Sequence, residues 1–217
     1  MDLSHSTKLL IFDLDGTLVD SFPGILVGMN LTLNEFELPE VDLAWLGRHV
    51  GRGSMKLITA AARGRVDPHH MHEVFLVRYS EVMVENTLPF PGVDCALEVL
   101  GSLYSMAVAS NKPLHMVEEL VESLGWQDIM TAVVGPETVN AHKPDPAMVE
   151  YVLSQTGCLR SETVYIGDML VDVETGINAG IPVIGVASGA TSAEQLKAAG
   201  CCAVINNVSE LVGFFGV

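Results

Sequence analysis

The sequence predicts an α/β protein with a parallel sheet covered by helices on both faces and a separate block of helices inserted after the first strand. Short continuous apolar runs recur along the chain, and patterns with a helical period lie between them. This alternation stops between about residues 22 and 88, which predicts the insertion. Strands that alternate with helices favour right-handed crossovers, and hence parallel strands buried between two helix layers.

The predicted strands are short apolar runs at residues 8–12, 105–109, 131–134, 163–166, 182–186 and 203–205. Between them lie helical faces such as Leu114, Val117, Val121 and Leu124, which follow the i, i+3, i+7 spacing. The inserted block contains only helical patterns, and the prolines after residue 88 restrict the chain where it returns. We therefore predict a Rossmann-like core over residues 1–21 and 89–217, and a helical unit over residues 22–88.

Composition and charge exclude several classes of protein. The 217 residues suit one domain with an insertion, and no apolar run approaches the ~18 residues of a membrane span or resembles a signal peptide. A net charge of −16 opposes binding to nucleic acid or anionic lipid. The four cysteines form no CxxC pair, which argues against a zinc site or a disulfide framework and fits the reducing cytoplasm.

Polar residues gather after the predicted strands. Asp13 and Asp15 follow the first strand, Ser110 and Asn111 follow the next, and Asp168 follows the strand at 163–166. The carboxyl ends of parallel strands form the usual ligand site of open α/β sheets. These side chains, together with Lys143 from a loop that precedes a predicted helix, are expected to converge on one edge of the sheet.

Four motifs carry a resemblance to a known family. Residues 12–21 (FDLDGTLVDS) resemble the DxDGTLxDS signature of the haloacid-dehalogenase-like superfamily, in its phosphatase branch. Residues 110–112 (SNK), 143–146 (KPDP) and 167–172 (GDMLVD) match the second, third and fourth motifs, in the family's order. The family also places a helical cap after the first motif. The resemblance implies a Mg²⁺-dependent phosphatase acting on a small phosphorylated metabolite, with phosphoglycolate as the first substrate to test.

The resemblance gives each motif residue an expected role. Asp13 is the nucleophile, and Asp15, held protonated among carboxylates, is the general acid and base. Asp13, Asp168 and the backbone carbonyl of Asp15 are expected to bind Mg²⁺. Asp172 is expected to orient the metal's waters or ligands, and Lys143 to steady Asp13 and the phosphoryl oxygens. Ser110, with Asn111, is expected to bind phosphate. Thr17 is expected to fix the loop of Asp15. Lys112 is given no role.

A basic stretch in the insertion predicts where the rest of the substrate binds. Residues 47–66 contain five Arg and Lys residues and no carboxylate, within an acidic protein. An arginine holds a carboxylate through paired hydrogen bonds, so Arg52, or failing it Arg48, is expected to bind the anionic end of the leaving group. A solvated basic face is the equally weighted alternative.

Two other functions remain open at this stage. A sugar-phosphate mutase of the β-phosphoglucomutase type uses the same two aspartates, but it interconverts isomers without releasing phosphate. A phospho-aspartate signalling module also combines carboxylates, Mg²⁺, a Ser or Thr and a Lys, but it is much shorter and its acidic pair is adjacent in sequence. Dehalogenase and phosphonatase activities are disfavoured because Asp15 is present.

Overall fold

The computed structural model describes residues 3, 6–51, 53–189 and 191–217. The chain divides into two compact units. The larger unit consists of Met1–Val19 and Pro89–Val217, and the smaller unit consists of Asp20–Leu88.

The larger unit is built on a six-stranded parallel sheet with the strand order β5-β4-β1-β6-β7-β8. In chain order, the strands of the protein are β1 (Leu9–Phe12), β2 (Val19–Asp20), β3 (Leu88–Pro89), β4 (Ser105–Ala109), β5 (Ala132–Val134), β6 (Thr163–Gly167), β7 (Val183–Val186) and β8 (Ala203–Ile205). The predicted α/β architecture is confirmed. The sequence did not predict β2 and β3, which pair in a separate sheet, because two residues are too few to show a strand period.

In the described part of the smaller unit the chain forms four helices, α1 (Phe22–Glu35), α2 (Leu43–Gly47), α3 (Ser54–Ala62) and α4 (Pro68–Val82). Helices α1 and α4 pack closely, because a Cβ atom at Gly28 would lie only 2.8 Å from the Cα of Tyr79. The core of this unit is apolar, with Met29, Leu33, Ile58 and Met71 fully buried. The helices predicted for the insertion are thus present.

The larger unit contains α5 (Val93–Gly101), α6 (Leu114–Ser123), α7 (Pro136–Val139), α8 (Ala147–Thr156), a 3₁₀ turn (Arg160–Glu162), α9 (Leu170–Ala179), α10 (Ala193–Ala199) and α11 (Glu210–Phe215). The strand β1 is buried at every position, which requires cover on both faces of the sheet. On one face, Leu9 and Ile11 pack in a cluster with residues of α8 and α9. Within the described part of the chain, no helix combines the length and the apolar character needed to cross a membrane.

Candidate active site

The polar residues that follow the strands lie where the chain changes direction across the sheet. The strand β1 is central, and the chain runs outward from it through β4 and β5 on one side and through β6, β7 and β8 on the other. Asp13 directly follows β1, Ser110 follows β4 and Asp168 follows β6. Because these three strands are adjacent and parallel, their carboxyl ends bring the three residues to the position where α/β sheets bind ligands.

Lys143 is the centre of a buried ion network. Its Nζ lies 2.9 Å from Asp13 Oδ1 and donates to Asp172 Oδ1 at 2.7 Å. Burial opposes the charge of Lys143, but Asp13 and Asp172 outweigh it and raise the lysine pKa well above its usual range. Burial raises the pKa of Asp13 to about 6, although the ammonium group of Lys143 acts in the opposite direction. Lys143 is therefore a fixed positive charge beside the predicted nucleophile.

Asp168 is a fully buried carboxylate with one oxygen unsatisfied. Its Oδ1 accepts a hydrogen bond from the Thr17 hydroxyl at 2.9 Å, which ties the loop of Asp15 to the end of β6. Its Oδ2 has no hydrogen-bond partner among the residues that the structure describes. Burial, reinforced by the charges of Asp172 and Asp13, raises the pKa of Asp168 well above its usual range. A positive partner would offset the cost of burying the charged form of this carboxylate.

The residues present fit a hard divalent cation. Carboxylate oxygens of Asp13, Asp168 and Asp172 lie within 4.8 Å of one another. Asp172 already accepts from Lys143 and, through Oδ2, from the Met169 amide at 3.0 Å. The remaining ligand capacity is therefore on Asp13 and Asp168, and hard carboxylate oxygens are the donors that Mg²⁺ prefers. Asp172 both caps the start of α9 and holds Lys143.

Asp15 has a partner that the sequence analysis did not assign. Lys112 Nζ donates to both carboxylate oxygens of Asp15 at 2.9 Å, and the lysine is almost completely buried. Asp15 is expected from the sequence to be held protonated among neighbouring carboxylates, but the group directly against it is a cation. The ion pair fixes the orientation of the carboxyl group predicted to move the proton.

Ser110 and Asn111 are both buried after β4, but their contacts differ. The Asn111 amide pairs with the backbone of Lys143, accepting from its N–H at 2.7 Å and donating to its carbonyl at 3.2 Å. The side chain of Asn111 thus holds the lysine loop, and its contact with phosphate stays a prediction. The Ser110 hydroxyl accepts from the Lys112 amide at 3.4 Å, a long contact that leaves its hydrogen available to a phosphoryl oxygen.

The two arginines expected to bind the leaving group belong to the smaller unit. Arg52 lies outside the described residues. Arg48 caps the C-terminal end of helix α2 and is exposed. Their predicted contact with substrate stays a prediction.

Two residues of this site were missed by sequence reasoning. The sequence gives Lys112 no role of its own, and it indicates Tyr165 only as one residue of a buried strand. The signal for Tyr165 was available, since a hydroxyl in the middle of the apolar run 163–166 needs a buried hydrogen-bond partner. The structure places its hydroxyl 3.1 Å from Lys143 Nζ.

Comparisons with known proteins agree with the fold and with the four motifs. Residues 10–186 match the family model for haloacid dehalogenase-like hydrolases. The chain is 34% identical over 223 residues to a phosphoglycolate phosphatase of Rhodospirillum rubrum, covering 96% of this chain and 91% of that protein. It is 28% identical over 218 residues to a phosphoglycolate phosphatase of Psychrobacter arcticus, covering 95% of each.

A solved structure shows the same fold. A haloacid dehalogenase-like family hydrolase from Streptococcus pneumoniae matches with a TM-score of 0.87 at 20% identity, over 97% of this chain and 99% of that one. The family match covers most of the chain and includes all four motifs found in the sequence, so the resemblance is confirmed. The chain belongs to the haloacid dehalogenase-like hydrolase family.

Proposed function

We propose that this protein hydrolyses small phosphomonoesters through a phosphoryl group carried by Asp13, with Mg²⁺ as its metal. The observation that carries the proposal is the buried carboxylate cluster at the sheet edge. In it Lys143 pairs with Asp13 while Asp168 keeps an unsatisfied oxygen. The names of the phosphoglycolate phosphatases that resemble this chain support the same chemistry.

The first step transfers the phosphoryl group to the protein. An Asp13 carboxylate oxygen forms a bond to phosphorus while the bond from phosphorus to the ester oxygen breaks, and Asp15 gives its proton to the departing alcohol. Lys143 places a positive charge beside the attacking carboxylate and the phosphoryl oxygens. The Ser110 hydroxyl donates a hydrogen bond to one of these oxygens. Asp13, Asp168 and the Asp15 carbonyl would hold Mg²⁺, which would supply further positive charge to the phosphoryl oxygens.

The second step releases phosphate and restores the protein. Asp15, now a carboxylate, takes a proton from water as the water oxygen bonds to phosphorus and the bond from phosphorus to Asp13 breaks. Inorganic phosphate leaves, and Asp15 again carries the proton that began the cycle. Lys112 orients the Asp15 carboxylate that takes the proton from water in this step, since it contacts both of its oxygens.

The substrate we propose first is phosphoglycolate. The relatives named above carry that name, and the basic stretch at residues 47–66 offers arginines for a second anionic group. In this proposal residues 22–88 act as the cap that selects the substrate, with Arg52 or Arg48 on the carboxylate. The proposed location is the cytoplasm, where reducing conditions suit four unpaired cysteines.

The test is a panel of phosphorylated metabolites with phosphate release as the readout. Phosphoglycolate is compared with a neutral ester of similar size, in Mg²⁺ and in excess chelator. The Asp13→Asn variant keeps the shape of the side chain and should lose turnover by about 10⁴-fold or more, the scale for removing a nucleophile. Asp128→Asn is the matched control, because Asp128 is exposed and precedes β5, at the other end of the sheet.

Three results would contradict the proposal. Near-normal turnover in purified Asp13→Asn would exclude Asp13 as the nucleophile. Full activity in excess chelator would exclude a role for the metal in the reaction. Interconversion of sugar-phosphate isomers without net release of phosphate would replace hydrolysis by the mutase reaction.

A further inference from the structure

Tyr165 is a polar side chain at the centre of the molecule. It lies in the middle of β6, three residues before Asp168, and is completely buried. Its hydroxyl donates to the carbonyl oxygen of Ala109 at 2.9 Å and accepts from Lys143 Nζ at 3.1 Å. The direction of these bonds is fixed, because a carbonyl oxygen only accepts and an ammonium group only donates.

These contacts complete the surroundings of Lys143. Among the described residues, Lys143 Nζ has three oxygen neighbours: it donates to Asp172 Oδ1 at 2.7 Å and to the Tyr165 hydroxyl at 3.1 Å, and it forms an ion pair with Asp13 Oδ1 at 2.9 Å. Two of the neighbours are charged and would draw the ammonium group towards them. The hydroxyl is the neutral third contact that sets where between the carboxylates it stays.

The other end of the hydroxyl contact reaches the phosphate-binding segment. Ala109 is the last residue of β4, and Ser110 follows it directly. A single hydroxyl thus connects the strand end that carries Ser110 with the ammonium group beside Asp13. Strand pairing positions only backbones, and this side-chain bridge positions the ends of two functional segments against each other.

We propose that Tyr165 is a positioning residue that sets the Lys143 ammonium group against Asp13 and holds it in register with Ser110. This inference rests on the proposed phosphatase function. Tyr165 touches neither the reacting atoms nor the metal ligands in this scheme, and it acts through Lys143.

The Tyr165→Phe variant isolates the hydroxyl. The ring stays, and with it the packing of β6 and the approach of Lys143 Nζ to within 5.6 Å of the ring centroid. The substitution removes one hydrogen-bond partner of the Lys143 ammonium group and the hydroxyl that donates to the Ala109 carbonyl. We expect kcat to fall by about tenfold or more, since small misplacements of a catalytic group are costly. KM should change by less than threefold, because the remaining phosphate contacts are intact.

The experiment measures kcat, KM and thermal midpoint for the wild type, Tyr165→Phe and the control Tyr151→Phe. Tyr151 is half-buried on α8, so it controls for the chemical change itself. Rates are taken at a temperature well below the midpoint of every variant. A merely structural hydroxyl would lower the midpoint and leave kcat of the folded protein unchanged.

A stability cycle with Lys143→Met tests whether the contact itself exists. If Tyr165 acts on Lys143, the effects of the two changes on the free energy of unfolding are not additive. Wild-type kcat in Tyr165→Phe, or strict additivity in the cycle, would overturn the inference while leaving the phosphatase function intact. A wild-type protein that releases phosphate from no ester would instead overturn the proposed function, and this inference with it.

Discussion

Replacing Gly189 by alanine should weaken metal binding, because the new methyl group collides with Asp168. A Cβ atom at Gly189 would lie 1.7 Å from Asp168 Oδ2 and 2.5 Å from its Cγ. Separations of this kind below about 3 Å are essentially never tolerated, so either the carboxylate or the loop after β7 moves by more than an ångström. The carboxylate has little room, since Gly16, with φ +87°, lies on it as well.

The expected magnitude follows from the displacement. Moving a catalytic or metal-binding group by about 1 Å costs on the order of 10²-fold in rate, and disturbing the support of a metal ligand costs roughly 10–100-fold in affinity. We therefore expect Gly189→Ala to weaken Mg²⁺ binding by about tenfold or more and to lower phosphate release at limiting Mg²⁺. The thermal midpoint should fall as well, because Asp168 and its neighbours are buried.

The assay is a calorimetric titration of chelator-treated protein with Mg²⁺, combined with thermal melting. Gly213→Ala is the matched control, because a Cβ atom there meets nothing within 4 Å. It lies in helix α11, where alanine is favoured over glycine by roughly 0.5–1 kcal/mol, so this control should bind Mg²⁺ like the wild type and melt no earlier. Wild-type Mg²⁺ affinity in Gly189→Ala would refute the placement of the metal at Asp168.

Two further outcomes are expected. In chelator, the free energy of unfolding should fall as pH rises from about 4 to about 6: burial raises the pKa of Asp13 from 3.8 to about 6, so the native state holds a proton that the unfolded chain has released. Urea titrations across this range check it, and stability that rises through this range would contradict it. Lys112→Met should lower kcat by about tenfold or more, because the orientation of Asp15 is lost and general acid–base catalysis contributes about 10²–10⁴-fold. The exposed Lys197→Met is the control, and equal rates in the two variants would remove Lys112 from the mechanism.

The sheet could be predicted from the sequence because its strands are continuous apolar runs of three to five residues with helical patterns between them. The strand before Asp13 is predicted at 8–12 and observed at Leu9–Phe12, and the one before Ser110 coincides with the prediction. The pair β2 and β3 could not be predicted, since each has two residues.

The positions of polar residues directly after the strands also predicted about half of the site. Asp13, Ser110 and Asp168 each follow a strand, so parallel pairing alone brings them together. Side-chain contacts between segments distant in sequence could not be read this way. Lys112 and Asp15 are 97 residues apart, and Tyr165 and Ala109 are 56 apart. Such contacts depend on rotamers and packing, which a periodic pattern does not encode.

The distribution of charge within the site shows where further positive charge is needed. Two buried lysines pair with three of the four carboxylates of the described site: Lys143 is shared by Asp13 and Asp172, and Lys112 lies against Asp15. Among the residues that the structure describes, the hydrogen-bond partner of the Asp168 carboxylate is the hydroxyl of Thr17. Asp13 and Asp168 therefore carry negative charge that the lysines do not neutralise, and one divalent cation between them would neutralise it. Burial, reinforced by the neighbouring carboxylates, raises the pKa of both carboxyl groups, so a cation that binds there would compete with their protons.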